Sequence, residues 1–364
     1  MEQQLSTLLG AVRPRDEKAY QAARARLDAL CKPPGSLGRL EDLAAQLAGI
    51  TGHVTNTLPR KAVVITAADN GVVEEGVASA DPAFTRTQTE NFIRGVTGVA
   101  VLARRAGADL IVADVGINAP PCAPPILNYK VAYGTKNFCL GPAMTRDEAL
   151  KALFAGVELA HTAKARGYDI IGAGEMGIGN TTTSAAVLSA LTGKPPAAVT
   201  GRGAGLSGEA YRRKVSVIER GLAVNCPDAA DPIGAVAKVG GFDIAALAGL
   251  YLGAAALRLP IVSDGFISTV AALVAIRLCP AVKDFIIPSH KSAEPGFAVL
   301  EEAAGLAPML DMGMRLGEGS GCPLAFFLCD CACDILSGMA TLEEAAVGAQ
   351  YLAARKHFDT SEDL

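Results

Sequence analysis

The sequence predicts an α/β fold: a Rossmann-like parallel sheet flanked by helices, with a small helical domain built from the N- and C-terminal segments. Three observations predict it. Short apolar, β-branched runs recur between residues 61 and 288, each closed by a polar or glycine turn, as fully buried parallel strands read. Segments with helical spacing separate these runs, and strand–helix alternation implies one sheet with right-handed crossovers. The two flanks, 1–50 and 324 onward, read as helix without strands.

In chain order, 16–31 and 39–50 carry Ala and Leu at helical spacing. Lys32-Pro-Pro-Gly-Ser-Leu-Gly38 is a stiff turn that breaks both. Strands are expected at 62–68, 108–116, 168–172, 260–264 and 284–288. Helices are expected at 90–105, 146–166, 181–192, 210–222, 242–257 and 268–278. The domains drawn from this are 1–55 (small helical domain), 56–322 (Rossmann-like catalytic domain) and 323–364 (helices returning to the small domain). In such sheets ligands sit outside the carboxyl ends of the strands. The residues to watch are therefore Asp69-Asn-Gly71, Asp114-Val-Gly116, Gly174-Glu175, Ser263-Asp-Gly265 and Ser289-His-Lys-Ser292.

Composition narrows the function. The chain has 364 residues, is 50% hydrophobic and 19% charged, and carries a net charge of -4. That leaves no basic field for nucleic acid. The longest apolar stretch, 244–257, has fourteen residues and is too short to span a membrane. The first residues lack the charged start and apolar core of a secretory signal, so a cytoplasmic protein is expected. Nine cysteines, an odd number without framework spacing, read as reduced thiols. Cys329-Asp-Cys-Ala-Cys-Asp334 lacks the spacing of common zinc sites and reads as packed helix, so no metal is expected.

Two glutamates sit in glycine-rich turns: Glu175 in Gly172-Ala-Gly-Glu-Met-Gly-Ile-Gly-Asn180, and Glu318 in Arg315-Leu-Gly-Glu-Gly-Ser-Gly321. Glycine lets a backbone approach a ligand, and a carboxylate placed there is positioned to take or share a proton. For each, the plainer alternative is an unliganded turn. The first turn matches the dinucleotide fingerprint. No Asp or Glu lies between Met176 and Gly208 to bind the ribose, however, and Glu175 would repel a pyrophosphate. The loop reads instead as a cradle for one phosphate or a sugar, with Gly177, Gly179, Asn180 and Thr181 at the mouth of a helix. Gly203 in Gly201-Arg-Gly-Ala-Gly205, and Lys214 beyond it, form a second donor set; the alternative for Lys214 is a solvated helix face. His290 is read as a structural histidine capping its loop rather than as a general base.

Taken together, Gly174-Glu-Met-Gly-Ile-Gly-Asn-Thr-Thr183, Gly201-Arg-Gly-Ala-Gly205, Ser292-Ala-Glu-Pro-Gly296, Leu310-Asp-Met-Gly-Met-Arg-Leu-Gly-Glu-Gly-Ser-Gly321 and Lys32-Pro-Pro-Gly-Ser-Leu-Gly-Arg-Leu-Glu41 resemble the nicotinate-nucleotide:dimethylbenzimidazole phosphoribosyltransferase family. The resemblance runs in order over nearly the whole chain. It implies transfer of 5-phosphoribose from nicotinate mononucleotide to an aromatic acceptor in cobamide assembly. It implies Glu318 as general base and Glu175 on the ribose and nicotinate side. Gly177, Gly203, Lys214 and Ser292 would hold phosphate, with Gly179, Asn180, Thr181 and Asp264 in the same phosphate and ribose region. Ser79, Gln88 and Leu316 would face the acceptor. No cofactor is implied, and the assembly would be a homodimer or a heterodimer with a paralogue.

The chain departs from the family's usual wording at Asn70, around Ser79-Ala-Asp81, and at Arg94-Gly-Val-Thr-Gly-Val99, all in the segment that shapes the acceptor pocket. The acceptor therefore stays open among a benzimidazole, a purine and a phenol. Two alternatives remain in view: a catalytically silent subunit paired with an active paralogue, and a nicotinamide-dependent dehydrogenase.

Overall fold

The computed structural model describes residues 1–203, 205 and 208–347. The described residues form two compact units, 1–13 with 60–326, and 14–59 with 327–347. The sequence placed the joins at 55 and 322 and counted the first thirteen residues with the small domain. They fold with the sheet unit because helix α1 (Glu2–Ala11) packs on the long helix α11 described below, and Glu2 pairs with Arg146. The part of the expected C-terminal helical segment beyond 347 lies outside the described residues.

The unit of 14–59 and 327–347 is helical. Helices α2 (Glu17–Ala29) and α3 (Arg39–Thr51) pack together. Asp16 caps α2 by accepting the Ala19 amide at 2.9 Å. Between them the Lys32-to-Gly38 turn is pinned by a buried ion pair, Lys32 Nζ to Glu41 Oε1 at 2.8 Å. Glu41 also accepts the Leu37 amide at 2.9 Å. Removing either partner of such a pair strands a buried charge.

Among the described residues the sheet unit holds six parallel strands: β1 (Lys61–Ala68), β2 (Ala108–Gly116), β3 (Leu127–Asn128), β4 (Ile170–Met176), β5 (Ile261–Ser263) and β6 (Ile286–Pro288). Their order is β3-β2-β1-β4-β5-β6. The order reverses between β1 and β4, and there a doubly wound sheet opens its ligand crevice. β1 is buried along its whole length, which explains its unbroken Val-Val-Ile character.

The helices of this unit after α1 are α4 (Phe84–Arg94), α5 (Gly98–Arg105), α6 (Arg146–Ala165), α7 (Asn180–Thr192), α8 (Pro196–Val199), α9 (Gly208–Asn225), α10 (Pro232–Val239), α11 (Phe242–Ala256), α12 (Phe266–Leu278) and α13 (Phe297–Ala304). A further helix, α14 (Cys322–Gly338), starts in this unit. One expected helix, 90–105, is two. Gly95 ends α4 in the left-handed region, and Thr97 caps α5 by accepting the Ala100 amide at 3.3 Å. Strand β4 also runs four residues past its expected end, so Glu175 stands on the strand and not in a loop beyond it. Register pairs Glu175 with Thr66 of β1.

Helices α6 and α11 meet backbone to backbone. A Cβ at Gly156 would overlap the Ala246 carbonyl, and one at Gly249 would overlap the Leu153 carbonyl. Neither obstacle is a side chain that can swing away. Gly156→Ala is therefore expected to destabilise the protein by about 3 kcal/mol, the upper range for overpacking, read as a lowered urea midpoint with an unchanged slope.

In α14, Cys329 and Cys333 lie one turn apart on a buried face and Cys331 is half-buried. None of the three is in a disulfide, and among the described residues no group of three or more His, Cys, Asp or Glu side chains is placed to hold a metal ion. Among the same residues no helix is long and apolar enough to cross a membrane.

Candidate active site

The carboxyl ends of β4, β5 and β6 open onto one cavity of about 430 Å³. Its wall includes Glu175, Gly177, Gly179, Asn180 and Thr181 from the end of β4 and the start of α7. Gly203, Lys214, Asp264 and Ser292 complete the side expected to face phosphate and ribose. Ser79, Leu316 and Glu318 line it too. Of the residues that the family resemblance assigned to the site, Gln88 is not in the wall; it reaches the cavity through Glu318, donating Nε2 to Glu318 Oε1 at 2.6 Å. The strand-end residues 69–71 and 114–116, expected on the same rim, do not line the cavity.

Glu318 adopts φ +65, a conformation few non-glycine residues take, between Gly317 at +84 and Gly319 at +85. Three buried contacts fix this loop. Its own amide donates to Glu175 Oε1 at 3.2 Å. Gly319 and Gly321 donate to the two oxygens of Asp264 at 3.0 and 2.7 Å. Backbone amides in such a turn form an anion-binding nest, and here the anions are the protein's own carboxylates. Asp264 thus commits both oxygens to the loop that carries Glu318. Glu318 is 7% exposed, and its Oε2 receives the Val99 amide at the start of α5 at 3.4 Å.

The glycines of β4 explain how the loop comes so close. A Cβ at Gly174 would stand 2.5 Å from the Glu318 carbonyl oxygen, and one at Gly172 would stand 2.5 Å from Cys322 Cβ. Strand glycines commonly mark the approach of another backbone. The sequence read these two as ligand-facing; in the structure they face the loop of 317–322.

Glu175 is fully buried among like charges. Burial first, and then the neighbouring Asp243, push its carboxyl up to about 8. Asn180 Nδ2 bridges the two acids, donating to Glu175 Oε2 and to Asp243 Oδ2. Asp243 itself is raised by burial to about 6. Sequence reasoning missed Asp243. The available signal was its place as the one acid at the head of an otherwise apolar helix.

Across the cavity, Lys214 of α9 is buried, and desolvation lowers its ammonium to about 8. It donates to Thr181 Oγ1 at 2.8 Å, and a Cβ at Gly203 would sit 3.6 Å from its Nζ. This is a half-built anion pocket: a cation, a hydroxyl and a close backbone. The alternative of a solvated helix face does not hold for Lys214, because α9 turns this residue inward. His290 is buried, with Nδ1 3.0 Å from Ser289 Oγ and 3.7 Å from Asp264 Oδ1. It lies beside the Asp264 clamp and is part of the cavity wall.

The wall also carries the apolar side chains of Val77, Ala78, Ala80, Phe84, Met176 and Leu316. The cavity therefore offers a lysine–threonine pair suited to an anion, apolar surface suited to a flat ring, and the carboxyl groups of Glu175 and Glu318. Among the described residues no ribose-binding acid of the dinucleotide type follows the β4 turn, because 176–203 contains none.

Comparison with known proteins gives a consistent result. A family model described as Phosphoribosyltransferase matches residues 12–347. The chain is 49% identical over 348 residues to the nicotinate-nucleotide–dimethylbenzimidazole phosphoribosyltransferase of Clostridium perfringens strain ATCC 13124, covering 96% of each chain. It is 51% identical over 335 residues to the enzyme of the same name from Desulforudis audaxviator, covering 92% of this chain and 95% of that one. The crystal structure of CobT from Thermus thermophilus superposes with a TM-score of 0.87 at 44% identity, over 91% of this chain and 99% of that one.

Proposed function

We propose that this chain, which belongs to the nicotinate-nucleotide–dimethylbenzimidazole phosphoribosyltransferase family, transfers 5-phosphoribose from nicotinate mononucleotide to a lower-ligand base, giving an α-riboside 5-phosphate and nicotinate in cobamide assembly. One observation carries the assignment of roles. Glu318, forced into a left-handed turn, shares a single cavity with a buried lysine–threonine pair.

The chemistry follows from that layout. Lys214 and Thr181, with Gly203 and Ser292 beside them, grip the 5-phosphate and so fix the sugar. Nicotinate leaves from a ring nitrogen that is cationic in the nucleotide, so departure neutralises it and needs little acid help. The acceptor is a poor nucleophile until it loses its N–H or O–H proton, which Glu318 removes. Gln88 and the Val99 amide keep that carboxylate aimed at the acceptor end. Glu175 faces the sugar and, below its value of about 8, does so as an acid. Attack from the face opposite to nicotinate inverts the anomeric carbon. The apolar wall near Leu316 and Phe84 supports a benzimidazole over a purine, whose ring polar groups would find few partners there.

Incubating the protein with nicotinate mononucleotide and a panel of benzimidazoles, purines and phenols tests this. The expected result is an α-riboside 5-phosphate by mass spectrometry, with equimolar nicotinate. Release of nicotinate with no base-linked product would refute the transfer reading. The silent-subunit alternative has no support, since both glutamates line the cavity and the matched relatives are named as transferases. Dimerisation is part of the proposal, supported by exposed Ile93, Val96 and Val101 on α4, α5 and the turn between them. A cytoplasmic setting is supported by nine cysteines, none of them in a disulfide.

Lys214 gives a pH prediction. Its folded value is lowered to about 8, so it is charged at pH 7 and neutral well above 8. Lys214→Met is expected to raise the nucleotide KM by about 10- to 100-fold at pH 7, the worth of a hydrogen bond to a charged group. Above pH 8 the wild type loses the same charge, so the two KM values should converge as pH rises. Steady-state kinetics across pH 6.5 to about 9.5, spanning the interval in which the shifted lysine titrates, checks it.

A further inference from the structure

We propose that Asp243, outside the cavity wall, is a positioning residue for the transfer reaction: through the Asn180 carboxamide it locks the Glu175 side chain in place and obliges Glu175 to carry a proton to the sugar. The geometry is specific. The Asn180 amide has two N–H groups, and one goes to each acid. Glu175, Asp243 and Asp264 are all buried. Two carboxylates sharing one amide cannot both ionise cheaply away from water.

The surrounding charges make the sharing one-sided. Glu175 on β4 meets Asp243 from the head of α11, Asp264 from the end of β5 and the Glu318 amide from the loop above. Asp243 is also under the field of Asp69 from the end of β1, and His290 from the end of β6 stands against Asp264. Among the described residues no lysine or arginine forms an ion pair with Glu175, Asp243 or Asp264. Each acid accepts one backbone amide besides the Asn180 bond, Glu175 from Glu318 at 3.2 Å and Asp243 from Ile244 at 3.0 Å, but the Ile244 amide lies at the positive end of α11. Glu175 has no helix end, and it faces the cavity. The proton therefore rests on Glu175, where its O–H can reach a hydroxyl or carboxylate oxygen of the bound nucleotide. Charged Asp243 remains beneath it, keeping the pocket floor negative under the sugar carbon as positive charge develops there.

The inference rests on the functional reading above, and its test separates the two. Asp243→Asn keeps an oxygen for the Asn180 N–H and removes the charge. In the wild type, kcat at saturating nucleotide should fall as pH rises through about 8, with Glu175 ionising. In D243N that alkaline limb should move down by about one pH unit or more. A purely structural role would lower kcat at every pH and leave the limb in place, which would overturn the inference.

Infrared spectroscopy needs no turnover and no folded D243N. The wild type at pH 7 should show a carboxylic-acid band that Glu175→Gln removes. Absence of that band would equally overturn the inference. If the band is present but the wild type transfers nothing from nicotinate mononucleotide, the functional reading fails while the proton assignment stands.

Discussion

Glu318→Gln should lower kcat by about 10²- to 10⁴-fold, the contribution of a positioned general base, with the nucleotide KM little changed. The substitution is nearly isosteric. It leaves the turn intact, because the contacts that shape it run from backbone amides to Glu175 and Asp264 and not from the Glu318 side chain. Gln88 can turn its carboxamide to offer oxygen instead of Nε2, giving up the 3.3 Å bond that Asn91 donates to its Oε1, so the main loss is the proton-accepting oxygen. The phosphate grip lies on other elements, α7 and α9, which is why nucleotide affinity should survive. Initial rates of nicotinate release, with thermal melting as a check on folding, measure it. Activity within about threefold of wild type at saturating acceptor would place the base elsewhere. An acceptor with a lower pKa should recover part of the lost rate, because it arrives with its proton already partly gone.

The sheet was legible in the chain because buried parallel strands need continuous β-branched apolar runs, and β1 displays one from Ala62 to Ile65. The break within 90–105 was less visible. Gly95 and Thr97 are a C-cap and an N-cap written almost side by side, and helical periodicity continues across them. The two glutamates stood out by contrast with their glycines, yet the reason for the glycines did not. Gly172 and Gly174 look like ligand loops locally, and only the folded chain brings 317–322 against them from far along the sequence. Asp264 was read as a substrate contact because it follows a strand. Its hydrogen bonds to Gly319 and Gly321 are a tertiary fact with no local signature. Asp243 was hidden for the same reason: an acid at a helix start reads as a dipole partner, and its link to Glu175 passes through Asn180.

Gly174→Ala should then be nearly as damaging to turnover as loss of the base itself, at about 10²-fold in kcat, the cost of misplacing a reacting group by on the order of 1 Å. The added methyl would stand 2.5 Å from the Glu318 carbonyl oxygen, 3.0 Å from its carbonyl carbon and 3.1 Å from Gly319 Cα. All three are backbone atoms, so no rotamer change relieves them. The strand is the less yielding partner, since Gly174 lies in β4, which is paired on both sides, to β1 and β5. The loop must therefore lift, carrying Glu318 with it and lengthening its hydrogen bond to Glu175. Ser79, Lys214 and Thr181 stay where they are, so the nucleotide KM should move far less than kcat. At Gly317 and Gly319 a methyl would meet both a left-handed backbone, φ +84 and +85, and a neighbour at 2.6 Å, Glu175 Oε1 and Val63 Cγ1 respectively. An alanine at 174 that keeps wild-type kcat would mean that the loop slides without cost. The register between β4 and the Glu318 turn would then not be what aims the carboxylate.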